Sequence, residues 1–221
     1  MKDIIIIGAG GLAREIQCII EKINEESFQW NLLGFIDENL DNKGKHLNGV
    51  EIIGNFEDVI ESKYVNNMYY VCAIGDTDIK KRLVEKAESM NFIAATLIDP
   101  NVGMSKYISI GEGSVIYGNT NLTTNIDIGK HVIISPGCTI GHDSKVEDFA
   151  IVLPGSNISG NVIIKEKAMI GAGSVVIQGI TIGQGTVIGA GAVVTKDIQE
   201  YATAVGCPAK IIKINNNVQF A

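Results

Sequence analysis

Aliphatic residues recur at every sixth position through the second half of the chain. The series runs from Ile98 to Val194, and all seventeen members are aliphatic or Met, with no change of register. A second series, four positions after the first, runs from Val102 to Ile198 and contains only small or aliphatic residues. A period of six fits neither a helix nor a two-sided sheet, whose periods are about 3.6 and 2 residues. It is typical of a parallel β-helix of triangular section, in which each hexad forms one flat side and turns one corner.

Three hexads make one coil of 18 residues, so residues 18 apart are expected to lie in adjacent coils. Seventeen hexads give nearly six coils, which at about 4.8 Å per coil span roughly 27 Å. The aliphatic residue of each hexad should point inward, and a small residue is needed where the corner packs. An ordinary β-sandwich rich in Ile and Val is the alternative, and it does not account for the unbroken register.

The first part of the chain has a different pattern. Residues 4–7 predict a short apolar strand that ends at glycines, and apolar residues then recur at helical spacing over 12–23. Two further strands are predicted at 32–36 and 69–74, and the second is followed by a helical pattern over 79–90. Strands that alternate with helices indicate a small parallel α/β sheet. The chain therefore divides into three predicted parts: an α/β domain at 1–97, a β-helix at 98–199 and a C-terminal tail at 200–221.

Charge and composition narrow the classes of partner. The 221 residues carry a net charge of −7 and only two arginines, Arg14 and Arg82, whereas a nucleic-acid partner would require a basic stripe. No apolar run reaches the roughly 20 residues of a membrane helix, and glycines interrupt the apolar N-terminus before a signal-peptide core can form. Four cysteines are scattered without a CxxC pair, which fits reduced thiols. We therefore expect a cytoplasmic protein without a membrane span or a nucleic-acid partner.

A glycine-rich loop follows the first predicted strand. The pattern Gly8-x-Gly10-x-x-Ala13 places backbone N–H groups and a helix N-terminus where a phosphate could bind. Asp37, at the end of the next strand, could accept hydrogen bonds from a ribose or sugar hydroxyl. The motif alone would suggest NAD, but the predicted sheet is about half the size of a full dinucleotide domain. A tight strand-to-helix turn without a ligand is the alternative.

The chain contains three histidines, His46, His131 and His142. His46 lies in a polar loop and is expected at the surface. His131 is fourth in its hexad, a position expected to point outward. His142 is third in its hexad, at a corner, and Asp143 follows it directly. Because the β-helix core is aliphatic, a corner histidine must point to solvent or to a neighbouring subunit.

The 18-residue coil predicts which residues surround His142. Gly160 should lie one coil above it, and Asn125 and Asn161 should flank Asp143 in the same way. A general base, an acidic neighbour that orients it and a glycine N–H nearby are the groups that acyl transfer requires.

Eight segments spread nearly end to end along the chain carry a resemblance to known proteins: Ile5–Glu15, Gly34–Asp37, Ala73–Asp76, Leu97–Pro100, Ile140–Asp143, Gly171–Thr181, Ile188–Ile198 and Val205–Lys210. With these segments the chain resembles the hexapeptide-repeat sugar acyltransferases, in the group of sialic acid O-acetyltransferases and amino-sugar-nucleotide N-acetyltransferases. The resemblance implies a small Rossmann-like α/β domain that binds a nucleotide-sugar, followed by a left-handed parallel β-helix, with acetyl-CoA as co-substrate, no metal and a homotrimeric assembly.

The resemblance also implies roles for individual residues. His142 matches the general base, Asp143 the acidic residue that raises the basicity of that histidine, and Gly160 the backbone N–H that holds the thioester oxygen. Position 151, where the family commonly has a second histidine near the acetyl group, is Ile151 here. Acetyl-CoA would be bound along Ala172, Gly173, Ala190 and Gly191 together with Ile151. The nucleotide-sugar would be bound by Gly10, Gly11, Leu12, Asp37 and Gly75.

The sequence therefore predicts an acetyl-CoA-dependent acetyltransferase acting on a nucleotide-linked amino sugar used for surface polysaccharide or glycan synthesis. Alternatives are an O-acetyltransferase of sialic acid or of another free or polymeric sugar, and a non-catalytic relative that only binds a sugar nucleotide. A zinc enzyme such as a β-helical carbonic anhydrase would need three gathered histidines, and only His131 and His142 lie in the β-helix. An NAD-dependent enzyme would lack a domain for the hydride acceptor.

Assembly as a trimer is also expected from the residues themselves. From Asp99 to Asp197 only fourteen residues are charged and none is Arg, so a flat face can be buried with little desolvation cost. One face meeting a different face of its neighbour must close into a ring or continue as a filament, and a three-sided prism favours closure at three.

Overall fold

The computed structural model describes residues 1–61 and 67–214 as two compact units. The first unit contains Met1–Pro100 together with Glu112–Ser114. The second contains Asn101–Gly111 and the chain from Val115 onward. Residues 215–221 of the predicted tail lie outside the described residues.

The first unit is a six-stranded α/β sheet in the order β3-β4-β2-β1-β5-β6. Its central strand, β1, pairs in parallel with β2 and with β5, and only β3 and β4 are antiparallel neighbours. A single-turn 3₁₀ helix spans Leu40–Asn42. The elements are β1 (Lys2–Ile7), α1 (Gly11–Glu26), β2 (Trp30–Ile36), β3 (His46–Leu47), β4 (Val50–Gly54), α2 (Phe56–Glu61), β5 (Tyr69–Cys72), α3 (Thr77–Ser89), β6 (Ile93–Ala94) and β7 (Leu97–Ile98).

The core of this unit lies on both sides of β1, because Ile4, Ile5, Ile6 and Ile7 are all buried. A parallel strand covered on both faces has a continuous apolar sequence rather than an alternating one. The predicted strands at β1, β2 and β5 and the helices α1 and α3 are therefore confirmed. The elements β3, β4, α2 and β6 were not predicted, because they are short and carry no distinct periodicity.

The second unit is a left-handed parallel β-helix of hexapeptide repeats, built from two- and three-residue strands. We call its faces face 1 (β10, β13, β16, β19, β22), face 2 (β8, β11, β14, β17, β20, β23) and face 3 (β9, β12, β15, β18, β21). The strands are β8 (Gly103–Met104), β9 (Ile108–Ile110), β10 (Val115–Ile116), β11 (Asn121–Leu122), β12 (Ile126–Ile128), β13 (Ile133–Ile134), β14 (Thr139–Ile140), β15 (Lys145–Val146), β16 (Ile151–Val152), β17 (Asn157–Ile158), β18 (Ile163–Ile164), β19 (Met169–Ile170), β20 (Val175–Val176), β21 (Thr181–Ile182), β22 (Val187–Ile188), β23 (Val193–Val194), β24 (Ala202–Val205) and β25 (Lys210–Ile214).

The predicted 18-residue register is confirmed on all three faces. On face 1, for example, Val115 pairs with Ile133, which pairs with Ile151. Every sixth residue from Ile116 to Val194 is buried, as expected, whereas Met104 in the first coil remains 42 % exposed. Beyond the repeats, β24 continues face 1 by pairing with β22, and β25 pairs with β24 in antiparallel orientation.

Buried hydroxyl groups link successive coils at the corners. The Oγ of Ser156 donates to the Gly171 carbonyl at 2.9 Å, and the Oγ of Ser174 donates to the Gly189 carbonyl at 3.0 Å. A buried hydroxyl must have such a partner, since its desolvation is otherwise uncompensated. The small residues of the second series thus fill the corners and also join them.

Among the helices of the described residues, none combines the length and the apolar character that crossing a bilayer requires.

Candidate active site

His142 lies on the edge between face 2 and face 3, directly after β14 and Gly141. We call this the His142 edge; the residues at the equivalent position in successive coils are Lys106, Thr124, His142, Gly160, Gln178 and Lys196. The side chains of His142 and Asp143 are 50 % and 47 % exposed. Both side chains are therefore accessible from outside the β-helix.

The imidazole of His142 is oriented by Asp143. Its Nδ1 lies 2.8 Å from Asp143 Oδ2, and because a carboxylate only accepts, Nδ1 is the donor in this pair. Asp143 has a positive φ of 59°, and this left-handed conformation, which Asp tolerates, turns its short side chain back toward the preceding residue. The second oxygen, Oδ1, accepts from Asn125 Nδ2 at 3.1 Å.

The hydrogen bonds from His142 and then from Asn125 hold the pKa of the Asp143 carboxyl below its usual range. The group therefore stays ionised at neutral pH. An ionised acceptor at Nδ1 keeps the proton on that nitrogen and leaves Nε2 with a lone pair that can accept a proton.

Gly160 lies directly against the imidazole ring, as the coil arithmetic predicted. A Cβ atom at Gly160 would lie 2.5 Å from His142 Nε2 and 2.6 Å from its Cε1, closer than atoms can approach. The residue must therefore be glycine for the ring to occupy this place. Within residues 1–61 and 67–214 the Gly160 N–H donates no hydrogen bond, and the residue is buried.

The residues expected to bind acetyl-CoA lie on a different edge, between face 1 and face 2. We call this the Ala172 edge; its residues are Pro136, Pro154, Ala172 and Ala190, each followed by a glycine. The Gly191 N–H donates to the Ala172 carbonyl at 2.8 Å, and Gly173 and Gly191 both have positive φ angles. Ala172, Gly173, Ala190 and Gly191 are exposed.

Within one chain these residues are not brought together with His142, because face 2 separates the two edges. Ile151 lies on neither edge: it is the first residue of β16, on face 1, and it is only 3 % exposed. The structure therefore gathers His142, Asp143 and Gly160 into one cluster and leaves the other predicted β-helix residues outside it.

The prediction for His131 was wrong. Its side chain is buried, at 2 % exposure, and its ring stacks on Phe149 with 5.1 Å between centroids. Phe149 occupies the equivalent position one coil later, and two aromatic rings in one column can stack where a lone histidine would be solvated. His46, by contrast, lies exposed on β3 as expected.

In the first unit, the glycine loop joins β1 to α1. Gly8 has a φ of 108°, and a Cβ atom there would lie 3.0 Å from the Ala73 carbonyl oxygen. Helix α1 has Gly10 at its N-cap with no side-chain cap, and no acidic residue in its first turn. Helix α3 differs, because Asp76 accepts from the backbone N–H groups of Asp78 and Ile79. The N–H groups at the start of α1 are therefore the ones left open to an anion.

A cavity of about 190 Å³ lies at the carboxyl ends of β1 and β2. Asp37 lines it, and the Asp37 carboxylate accepts from the Asn39 N–H at 3.0 Å and from Asn42 Nδ2 at 2.9 Å. The predicted residues Gly10, Gly11, Leu12 and Gly75 are not among the lining residues. Gly10 caps α1, Gly11 and Leu12 are its first two residues, and Gly75 lies in the loop between β5 and α3. The full lining is Ile7, Gly8, Ile36, Asp37, Glu38, Asn55, Phe56, Ile74, Ile79, Arg82 and Leu83.

Most of these lining residues, among them Asn55, Phe56 and Ile79, were missed by the sequence analysis. Asn55 and Phe56 follow β4, which was not predicted, so no signal placed them at the sheet edge. Ile79 begins the helical pattern predicted over 79–90, but it is 42 % exposed and lines the cavity. Its position in the first turn of a helix that follows a parallel strand could have indicated a ligand-facing role.

Within the described ranges, no three His, Cys, Asp or Glu side chains are arranged so that they could hold a metal ion.

Two family models match the chain. The PglD N-terminal domain matches residues 3–87, and the bacterial transferase hexapeptide (six repeats) matches residues 161–196. Among solved structures, WeeI from Acinetobacter baumannii AYE is 30 % identical with a TM-score of 0.87, and the match covers 96 % of this chain and 100 % of WeeI. The chain belongs to the hexapeptide-repeat sugar acetyltransferases.

Two further structures resemble this acetyltransferase over nearly their whole length. The acetyltransferase domain of PglB from Neisseria gonorrhoeae FA1090, in complex with acetyl coenzyme A, is 28 % identical with a TM-score of 0.86 and coverages of 96 % and 99 %. A variant of perosamine N-acetyltransferase from Caulobacter crescentus, in complex with CoA and GDP-perosamine, is 28 % identical with a TM-score of 0.88 and coverages of 96 % and 97 %. No curated protein sequence gives a significant match to the acetyltransferase.

Proposed function

We propose that this acetyltransferase moves the acetyl group of acetyl-CoA to the amino group of a nucleotide-linked amino sugar, with His142 as general base. The product would serve surface polysaccharide or glycan synthesis, and the reaction would take place in the cytoplasm. The observation that carries the proposal is the imidazole of His142, held by Asp143 through Nδ1 and lying against Gly160. Relatives that bind CoA and an amino-sugar nucleotide support the choice of substrates.

The chemistry follows from the hydrogen bonds of the cluster. Nε2 of His142 removes a proton from the acceptor amine as its nitrogen attacks the thioester carbonyl carbon. The carbonyl oxygen becomes an oxyanion, which the Gly160 N–H would stabilise. The tetrahedral intermediate then expels the CoA thiolate, and the imidazolium returns the proton to that sulfur. Asp143 stays ionised throughout and stabilises the imidazolium.

The first unit would bind the nucleotide-sugar. The uncapped N-terminus of α1, with Gly10 and Gly11 and no acidic residue in its first turn, suits a diphosphate. The cavity beside it has an apolar wall and the Asp37 carboxylate, which can accept from hydroxyl or amino groups of a nucleoside. Apolar walls with a few placed polar groups are the usual form of a small-molecule site.

Acetyl-CoA would lie along the Ala172 edge of a neighbouring subunit in a homotrimer. The exposed backbone of Ala172 and Ala190 offers amides without bulky side chains to an extended pantetheine arm. Because face 2 separates this edge from His142 in one chain, a second chain is the simplest way to bring the two together. Face 2 suits such a contact, since its outward positions carry no charge: Gly103, Asn121, Thr139, Asn157, Val175 and Val193.

The proposal is tested by incubating the protein with acetyl-CoA and a panel of UDP-, dTDP- and GDP-linked 4-amino sugars, with free sialic acid as a hydroxyl acceptor. Thiol release and a mass gain of one acetyl group on a nucleotide-linked amino sugar are expected. If sialic acid were the only acceptor to be acetylated, the proposed acceptor group would be a hydroxyl and not an amine. Absence of thiol release with every acceptor would overturn the proposal.

A further inference from the structure

Asn125 lies one coil before Asp143, at the equivalent corner position of the His142 edge. Both residues adopt the left-handed conformation, with φ angles of 52° and 59°, so their side chains leave the corner in the same direction. The Asn125 amide donates through Nδ2 to Asp143 Oδ1 at 3.1 Å. His142 occupies the other carboxylate oxygen, Oδ2, at 2.8 Å.

We propose that Asn125 is a positioning residue, which holds the Asp143 carboxylate in the rotamer that orients His142 and keeps the proton on Nδ1. The proposal rests on the function proposed above for His142. Asn125 itself is not expected to touch either substrate.

The need for a second anchor follows from exposure. Asp143 and His142 are about half exposed, and an exposed ion pair contributes little because solvent screens it and side-chain freedom opposes it. A carboxylate held by one hydrogen bond can rotate about its χ angles and release the ring. An amide that donates to the other oxygen, from a separate coil, restricts that rotation, because the carboxylate must then break two hydrogen bonds to turn away.

The chain contains a further residue of the same kind that serves as a control. Asn91 is also an exposed asparagine in the left-handed conformation, with a φ of 59°. It follows α3 in the first unit and is not among the residues that line the cavity there. Replacement by glycine preserves the backbone conformation at both positions, because glycine adopts positive φ without strain.

The kinetic experiment compares Asn125→Gly, Asn125→Asp and Asn91→Gly in the full chain. Loss of one hydrogen bond to Asp143 should lower kcat about fivefold in Asn125→Gly, with KM for both substrates unchanged. Asn125→Asp keeps the size and shape of the side chain but removes its N–H donor. It also places a second carboxylate next to that of Asp143, and because the two repel each other, kcat should fall further than in Asn125→Gly. Asn91→Gly should match the wild type. Equal activity of Asn125→Gly and Asn91→Gly would overturn the proposal.

A double-variant cycle separates positioning from a general loss of stability. In an Asp143→Ala background, Asn125→Gly should cause no further loss of kcat, because the carboxylate that it positions is gone. If Asn125→Gly lowered kcat by the same factor in the Asp143→Ala background as in the wild type, Asn125 would act independently of Asp143, and the proposal would be overturned.

A measurement that does not depend on catalysis, the tautomer of the His142 ring, tests the positioning role separately from the proposed function. The chain has three histidines, so the ring nitrogens of His142 can be resolved by long-range ¹⁵N NMR and assigned with His142→Ala. The Nδ1–H tautomer should predominate in the wild type and decrease in Asn125→Gly. An unchanged tautomer would refute the positioning role even if His142 is essential. Full activity of His142→Ala would refute the proposed function while leaving the tautomer result standing.

Discussion

His142 is the residue on which the proposed chemistry depends most directly. Its Nε2 has no equivalent substitute within the cluster, because the Asp143 carboxylate is a much weaker base than an imidazole and Gly160 has no side chain. General-base assistance contributes about 10²–10⁴-fold, so His142→Ala should lower kcat by that order while KM for acetyl-CoA stays close to the wild-type value. His46→Ala, an exposed histidine on β3, is the control and should retain full activity. Steady-state thiol release measures both, and a fully active His142→Ala would exclude the assignment.

A second prediction concerns Gly160, which determines where the His142 imidazole lies. In Gly160→Ala the added methyl group must displace the imidazole, since the ideal Cβ lies 2.5 Å from Nε2. Misplacement of a reacting group by about 1 Å can lower turnover about 10²-fold, and a loss of that order is expected here.

The control for Gly160→Ala is Gly103→Ala. A Cβ atom at Gly103 would make only an ordinary contact of 3.4 Å with Asn121 Oδ1, so normal turnover is expected. If Gly160→Ala were as active as this control, the ring would not be confined by Gly160.

The residue scale also shows what the sequence could and could not predict. Coil arithmetic placed Gly160 against His142 and Asn125 beside Asp143, because an unbroken register fixes which backbone positions are stacked. The same arithmetic placed His131 correctly in its column but gave the wrong environment. Whether that side chain is buried depends on Phe149 in the next coil, and the repeat pattern contains no information about such pairs.

At the scale of elements, helix α3 carries an unusual buried cation. Lys80 is fully buried, and burial lowers its pKa to about 8. Between about pH 8 and 10.5 the unfolded chain therefore binds more protons than the folded chain, and the free energy of unfolding increases with pH. Burial also raises the pKa of the Cys72 thiol to about 11 and raises that of Tyr70. Above about pH 9 the unfolded chain loses these protons before the folded chain does, so these two groups lower the free energy of unfolding as pH rises.

Between pH 8 and 9, the free energy of unfolding of the wild type should therefore rise by up to about 1 kcal/mol. In Lys80→Met the rise should disappear, because the titrating group is absent. Urea denaturation under reducing conditions at several pH values measures the difference. The same increase in both proteins would show that Lys80 does not titrate in this range.

Elements with a long or strict pattern were predictable, and the others were not. The β-helix strands follow from a hexad series that is buried from Ile116 to Val194. Helices α1 and α3 follow from apolar periodicity. By contrast, β3, β4 and α2 are too short to carry periodicity. Strand β4 pairs with the edge of β2, and β3 in turn pairs with β4. Asn55 and Phe56, which follow β4 and line the cavity, could not be predicted as site residues for the same reason.

At the scale of the whole molecule, the uncharged face 2 predicts the assembly. Sedimentation equilibrium should give a particle of three times 23.6 kDa. Val175→Glu places a charge at an outward position of face 2, in register with Asn157 and Val193. Burying an unpaired carboxylate is costly, so this variant should dissociate and lose at least about tenfold in kcat.

The matched control for the assembly is Ile163→Glu on face 3, whose register neighbour Lys145 can pair with the new carboxylate. This variant should remain trimeric and active. A wild-type monomer with full activity at nanomolar concentration would contradict both the trimer and the shared site.

The arrangement of the His142 cluster has a consequence for how the chain can change in length. Asn125, His142 with Asp143, and Gly160 come from three successive coils, and they meet only because the spacing between them matches one circuit of the prism. Insertion of a single hexad between them would rotate every later residue by one face and move Gly160 to another edge. Hexads added before Asn125 or after Gly160 leave this spacing unchanged, and within residues 125–160 only loops that bulge from a corner do so. Related chains that use the same cluster should therefore keep the length of this segment, whereas the number of repeats on either side of it can vary.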